Sequence, residues 1–180
     1  MAARQVAFLR GINVGRNKRI AMTDLRRLVS SLGYSEVSTH LQSGNVLLTA
    51  EQSPGEVARA IGGAIAGGLN LDVAVLARTQ DELDRVVETN PLAHVVTDPT
   101  RFLIAFLSLP PERGWLTAHG LGAFDDSMLG IGARELYIWC PDGILASPIP
   151  TALAKVKGAD LIVTSRNWRT VTKIQQLLRA

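Results

Sequence analysis

A glycine-containing loop near the start of the sequence holds the side chains best suited to bind an anion. It follows the apolar run 5–9, and Gly11 and Gly15 lie within it. Glycine and asparagine tolerate left-handed backbone geometry, so this loop can bring main-chain groups close to a ligand. The candidate binding residues of this 10–19 loop are Arg10, Asn13, Arg16, Asn17 and Lys18. Arg19 adds a fourth cation, and the alternative is a solvated loop whose glycines only turn the chain.

A second polar turn, which we name the 42–45 turn, separates the second and third predicted strands, 36–41 and 46–49. In a βαββαβ unit the first and third strands are central antiparallel neighbours. The end of the first strand then lies beside the start of the third, which brings this turn against the 10–19 loop. A helix beginning near Met22 can direct its free N–H groups toward the same end of the sheet. The candidate binding residues of the turn are Gln42, Ser43 and Asn45.

A third candidate segment lies where the last predicted strand meets the last predicted helix, and it contains Arg166, Asn167 and Trp168. In a functional interpretation, Arg166 binds an anion and Trp168 offers a face for stacking. In a structural interpretation, Asn167 caps the helix and Trp168 belongs to the core.

The order of predicted elements indicates the fold class. Helical periodicity, capping boxes at Ser53 and Thr79, and apolar runs predict β-α-β-β-α-β-α over the first half, and the second half follows the same order. No repeat is visible at the level of residues. We therefore predict an α+β protein of two ferredoxin-like βαββαβ units, each followed by an extra helix. The predicted domains are 1–90 and 100–180, with 91–99 as a connector.

Composition and charge narrow the class of protein. Of 180 residues, 47% are hydrophobic and 19% are charged, which is typical of a packed globular chain. Residues 1–20 and 151–180 each carry a net charge of +5, which suits phosphate or nucleic acid if they share a face. We expect a cytoplasmic protein with no membrane partner, because every long apolar run is interrupted, no signal-peptide segment is visible and Cys140 stands alone. The sequence assigns no oligomeric state.

Several catalytic and cofactor-binding patterns are missing from the sequence. It contains neither a P-loop nor a Gly-x-Ser-x-Gly elbow, and its three histidines stand apart from other metal-binding residues. We therefore predict no cofactor and no metal. Ser43 has no assignable base, so the sequence leaves open whether the protein is an enzyme. Phe8 is the only aromatic residue on the two central predicted strands of the first unit. This disfavours the stacking of bases on strand aromatics that RNA-recognition modules use.

The sequence resembles a bacterial family catalogued as domain of unknown function 1697. The segments that carry the resemblance are 6–15, Met22 with 25–26, 32–34, 41–46, 90–91, 135–138 and 164–168. It departs from the family pattern at Arg16 and Arg169, and both departures add positive charge. The resemblance implies two related ferredoxin-like halves and implies no activity.

Three functions fit these observations. The first is binding of an anionic ligand, either a phosphorylated metabolite or a nucleic-acid backbone, at the converging loops. The second is an enzyme that acts on a phosphorylated small molecule at that site, which predicts an enclosed pocket. The third is a structural or assembly role, which predicts that Asn13, Gln42 and Asn45 are buried and paired within the chain.

Overall fold

The computed structural model describes residues 1–16, 18–156 and 161–180; Asn17, Lys157 and Asp160 lie outside this part of the chain. The first seven elements are β1 (Ala3–Leu9), α1 (Met22–Ser30), β2 (Ser35–His40), β3 (Asn45–Ala50), α2 (Pro54–Leu69), β4 (Val75–Thr79) and α3 (Gln80–Glu88). After a 3-10 turn at Pro99–Arg101 come β5 (Phe102–Leu107), α4 (Arg113–Ala118), β6 (Leu129–Ile131), β7 (Glu135–Trp139), α5 (Pro148–Ala154), β8 (Val163–Asn167) and α6 (Trp168–Arg179).

The strands form two sheets of the same topology. Their orders are β2-β3-β1-β4 and β6-β7-β5-β8, and all the described strand pairs are antiparallel. This is the strand order of the ferredoxin-like βαββαβ unit, with α3 following the first unit and α6 the second. The predicted α+β fold is therefore confirmed.

Contacts along the chain define two compact units. The first consists of Met1–Leu83 together with Ile174–Ala180, and the second is Asp84–Lys173. The predicted limits of independent domains, at 1–90 and 100–180, stay a prediction.

The core of the first unit lies between its sheet and the helices α1 and α2. Ala7 and Leu9 of β1 belong to one buried cluster with Leu25 of α1 and Ile61 of α2. Leu25 and Val29 fall on the helical stripe expected from the sequence. β1 is one of the two central strands beneath this cluster. Its buried residues therefore fix the position of Arg10, which follows the strand at the end of the sheet.

The core of the second unit follows the same plan. All six residues of β5 are buried, and Leu103, Ala105 and Leu107 form a cluster with Leu116 of α4 and Leu153 of α5. The two units thus use their central first strand in the same way.

Both predicted capping boxes are present. The Ser53 hydroxyl accepts the Glu56 N–H at the start of α2, and Glu56 Oε2 accepts the Ser53 N–H at 2.9 Å. At the start of α3, Thr79 Oγ1 accepts the Glu82 N–H at 3.1 Å, and Glu82 Oε2 accepts the Thr79 N–H at 2.9 Å. At the N-termini of both α2 and α3, side chains therefore satisfy backbone N–H groups that have no partner within the helix.

The prediction of β4 at 71–77 was displaced from the observed strand, Val75–Thr79. Val73 is buried and Leu71 packs against the core, so this apolar stretch has the composition of a strand without its geometry. The Ala74 carbonyl accepts a backbone hydrogen bond from Arg10 at 2.9 Å. Irregular backbone at 71–74 thus connects to the 10–19 loop rather than extending the sheet.

Candidate functional site

The 10–19 loop and the 42–45 turn meet at the end of β1 in the first unit. Phe8 and Asn45 are paired across β1 and β3, and the Leu9 N–H donates to the Gly44 carbonyl at 2.8 Å. Asn13 Nδ2 donates to the Gln42 carbonyl at 2.7 Å. The two segments, distant in sequence, therefore lie side by side at one end of the central strands β1 and β3.

Asn13 closes the 10–19 loop through its side-chain amide. Its Nδ2 also donates to the Ile20 carbonyl at 3.0 Å, and its Oδ1 accepts the Ile20 N–H at 2.9 Å. Its own N–H donates to the Lys18 carbonyl at 3.1 Å, and its φ is +55°. Asparagine is among the few non-glycine residues that adopt this left-handed conformation readily. Main-chain and side-chain amide bonds at Asn13 thus close the loop.

Gly44 sets how closely the turn approaches β1. Its φ is +76°, and a Cβ at this position would lie 2.7 Å from both Leu9 Cβ and Ile12 Cδ1. Real Cβ atoms do not approach other atoms this closely, so a larger residue would separate the turn from the loop. Glycine is required here both for its backbone conformation and for its missing side chain.

Two cations of the loop extend into solvent. Arg16 and Arg19 are exposed, and the Arg19 guanidinium donates to the Gly15 carbonyl at 3.4 Å. Both charges therefore lie on a loop whose backbone is held in place by the Asn13 amide.

The main chain of Arg10 and the side chain of Lys18 contact the backbone that precedes β4. Arg10 is half-buried, and its N–H donates to the Ala74 carbonyl at 2.9 Å. The Lys18 ammonium donates to the Asp72 carbonyl oxygen. Lys18 therefore connects the 10–19 loop to the segment before β4, a contact that its sequence position did not indicate.

The side chains of the turn divide into a buried and an exposed group. Asn45 is fully buried, and its Nδ2 donates to the His40 carbonyl at 2.9 Å and to Ser43 Oγ at 3.0 Å. Gln42 and Ser43 are exposed. Asn45 thus builds the turn, and Gln42 and Ser43 lie at its surface.

Arg166 of the third candidate segment belongs to the second unit. Its side chain is buried, and Nη1 donates to Thr164 Oγ1 and to the Ser165 carbonyl, each at 2.9 Å. Burial lowers the pKa of Arg166 to about 10, because the charged form loses hydration. The guanidinium remains charged at neutral pH and is engaged with its own strand.

Asn167 and Trp168 also make contacts within the second unit. Asn167 Oδ1 accepts the Arg169 N–H at 3.0 Å, and its Nδ2 donates to the Thr100 carbonyl at 2.9 Å. The ring of Trp168 lies 5.0 Å from that of Phe102, centre to centre. The helix-cap interpretation of Asn167 is therefore confirmed.

A buried arginine that the sequence analysis missed occupies the position in β4 that Arg166 occupies in β8. Arg78 is the fourth residue of its five-residue strand and is only 1% exposed. Its Nη1 donates to the carbonyl of the preceding residue, Ala77, at 2.9 Å, as that of Arg166 does to Ser165. The two units thus share an arginine at equivalent strand positions in addition to the order of their elements. Aligning the two final strands by their following helix caps would have revealed it.

Two open cavities of the second unit have volumes of about 590 and 480 Å³. The larger has His119, Phe124, Ser147 and Lys155 in its lining, and the smaller has His94, Asp126 and Ser127. Within the described ranges, no cluster of three His, Cys, Asp or Glu residues could hold a metal ion. In the same part of the chain, no helix has the length and apolar character needed to cross a membrane.

The fold and the loop geometry define a protein of two ferredoxin-like units, with two polar loops joined at one end of the central strands of the first. The profile of the family described as protein of unknown function, DUF1697, matches residues 2–137, so the chain belongs to this family. Both joined loops lie inside the match, and Arg166, Asn167 and Trp168 lie beyond it.

A comparison with solved structures finds the same fold in the conserved bacterial protein SP0830 from Streptococcus pneumoniae. The TM-score is 0.79 at 22% sequence identity, and the alignment covers 99% of each chain. No curated protein matches this chain.

Proposed function

We propose that the first unit binds an anionic ligand, a phosphorylated metabolite or a nucleic-acid backbone, where the 10–19 loop meets the 42–45 turn. The observation that carries this proposal is the Asn13 amide, which joins the two segments through the Gln42 carbonyl at 2.7 Å. A cationic loop fixed in this way loses little conformational entropy when it binds. The proposed location is the cytoplasm, in keeping with a single, buried free cysteine.

The side chains of the proposed site fall into two roles. Asn13 and Asn45 hold the backbone, while Arg16 and Arg19 present charge and Gln42 presents an amide to solvent. Arginine pairs well with phosphate oxygens because its planar guanidinium donates several hydrogen bonds in a fixed geometry. Binding to such a surface depends on charge and weakens steeply with salt.

Arg166, Asn167 and Trp168 enter this proposal only as structural residues of the second unit. Their described partners are backbone carbonyls, a threonine hydroxyl, an N–H and an aromatic ring. These contacts account for the side chains without a ligand. Asn17 stays a candidate binding residue on its sequence position alone.

A structural role is the second candidate function, and the pairing of two asparagine side chains favours it. Asn13 and Asn45 each make hydrogen bonds within the chain, as an assembly role predicts. Gln42 does not follow that pattern, because its side chain is exposed. Removing exposed cations separates the two functions, since it weakens anion binding and leaves the paired asparagines intact.

The test is a titration with a short labelled RNA and a DNA of the same sequence at about 50 and 200 mM salt. Arg16→Ala/Arg19→Ala removes two exposed cations of the loop and leaves Lys18, whose ammonium contacts the Asp72 carbonyl, in place. We expect binding that weakens with salt, and a logarithmic salt dependence that is lower by about 2 in this variant. The matched control is Arg59→Ala/Lys173→Ala, which removes two exposed charges elsewhere and is expected to bind like the parent.

Equal loss in the control variant would show that only net charge matters, and would contradict a site at the loop. No oligonucleotide binding at low salt would reject the nucleic-acid form of the proposal. Inorganic phosphate and pyrophosphate, followed by NMR shifts of the backbone amides of Gly11, Gly15 and Gly44, then test the metabolite form. Unchanged amide shifts would reject that form as well and leave the structural role.

A further inference from the structure

Two exposed aliphatic side chains lie in the 10–19 loop and next to the 42–45 turn. Val14 is 71% exposed and Leu41 is 55% exposed. Their neighbours in sequence, Asn13 and Gln42, are joined by the 2.7 Å hydrogen bond between the loop and the turn. The proposed site therefore combines an apolar part with a cationic part on two segments that are fixed to each other.

Leu41 is also held in an unfavourable backbone conformation. Its φ is +61°, in the left-handed region that glycine and asparagine adopt far more readily than a branched aliphatic residue. An exposed leucine gains little packing in return for this strain. Strained residues of this kind concentrate at ligand-binding sites, where the surrounding structure holds them in place.

We infer that the anionic ligand is a nucleotide unit, with its phosphate on Arg16 and Arg19 and its base against Leu41 and Val14. This inference rests on the proposed function and specifies its ligand class. A nucleotide places an anionic group next to a flat apolar face, which matches the combination of charge and aliphatic surface at the two segments. Leucine and other apolar side chains contact base faces, and in a duplex they must first separate stacked bases, at a cost of about a few kcal/mol per step.

A lipid bilayer fits the same residues less well. Two aliphatic side chains bury less apolar surface than one myristoyl chain, which by itself gives only marginal membrane binding. A nucleotide needs only one small apolar contact beside its phosphate, so the observed surface is sufficient for it.

Free mononucleotides and single-stranded nucleic acid share this chemistry, and a duplex does not expose its base faces. The test therefore measures binding of a labelled single strand and of its duplex at one salt concentration. Adenosine monophosphate and ribose 5-phosphate serve as competitors, to separate a free nucleotide from a strand. Anionic phospholipid vesicles form a further arm, read by sedimentation.

Leu41→Asn is the informative variant, because asparagine tolerates the same φ while removing the apolar side chain. We expect it to weaken single-strand binding about tenfold, the effect of losing one partly buried leucine contact, to leave duplex binding and the salt dependence unchanged, and to keep or raise the melting temperature. Val14→Ser should act in the same direction. Leu109→Asn is the matched control, since Leu109 is 51% exposed in the second unit.

The inference is overturned if the single strand and the duplex bind equally, or if Leu41→Asn binds the single strand like the parent. It is also overturned if Leu41 is needed only for vesicle binding. Each of these results leaves the proposed function standing where Arg16→Ala/Arg19→Ala still weakens salt-dependent binding. Competition by adenosine monophosphate but not by ribose 5-phosphate would support the inference with a free nucleotide as the ligand.

Discussion

The amide of Asn13 and the missing side chain of Gly44 decide how the proposed site is assembled. Asn13 makes its bonds to backbone groups, which any sequence of the turn would supply. Gly44 instead depends on the exact space between Leu9 and Ile12. Changing either residue alters the position of the cations without removing any charge.

Gly44→Ala is expected to lower the free energy of unfolding by about 2–4 kcal/mol, because overpacking adds to the strain of a positive φ. The added Cβ would meet Leu9 and Ile12 at 2.7 Å. Gly63→Ala is the control: no atom lies within 4 Å of a Cβ there, in the exposed middle of α2. It should raise stability by about 0.5–1 kcal/mol. Urea denaturation measures both, and two changes of the same sign would contradict the packing described here.

Single residues were predictable where their role is local. The cap at Asn167 and the capping boxes at Ser53 and Thr79 follow from side chains that bind N–H groups close in sequence. Arg78 was not predictable in this way. The predicted strand ended at Ala77, and the four successive residues Val75–Arg78 of the observed strand are all buried, so no alternation of apolar and polar residues marked Arg78 as buried.

At the scale of elements, side chains close in sequence determine where a helix begins. In α2, Ser53 and Glu56 satisfy each other's backbone N–H groups, and the hydroxyl of Ser53 also donates to Glu56 Oε2 at 2.6 Å. These bonds lower the pKa of Glu56, the hydroxyl bond contributing most, followed by the Ser53 N–H, with a smaller contribution from Arg59. The carboxylate form therefore stabilises the start of the helix.

Glu56→Ala should reduce stability at neutral pH and have less effect in acid. A carboxyl whose pKa is lower in the folded state adds stability above its ordinary value, near 4.5, and loses it as the pH falls through the lowered pKa. The difference in urea midpoint between the parent and this variant should thus shrink steadily below about pH 4.5. A difference that stays constant from pH 7 to pH 3 would contradict a charged capping bond.

The order of elements was predictable, but the limits of some strands were not. The observed β4 and β8 begin at Val75 and Val163, later than the predicted 71 and 161. In both cases the apolar run starts before the strand, because Leu71 and Leu161 pack against the cores from outside the sheets. An apolar run indicates that its residues are buried. Where the strand itself begins is determined by its hydrogen bonds to β1 or β5.

At the scale of the whole molecule, the two units repeat one topology with different surfaces. Equivalent final strands carry Arg78 and Arg166, and equivalent caps start α3 and α6. The convergence of the 10–19 loop and the 42–45 turn followed from this topology, since it places β1 beside β3. The contacts of Lys18 and Asn45 did not, because they depend on how side chains settle after the strands have paired.

The last residues of the chain complete the first unit rather than the second. Ile174–Ala180 belongs to the same compact unit as β1–β4, and Ile174 and Leu178 are almost fully buried. Leu178→Ala is therefore expected to destabilise the first unit by about 2–5 kcal/mol, the usual effect of emptying a buried leucine site. Hydrogen exchange should show faster exchange first in β1 and β3. Leu153→Ala, at a buried position in the core of the second unit, is the matched control and should act first in β5 and β7. If both variants affect the same strands, the assignment of the C-terminal residues to the first unit is wrong.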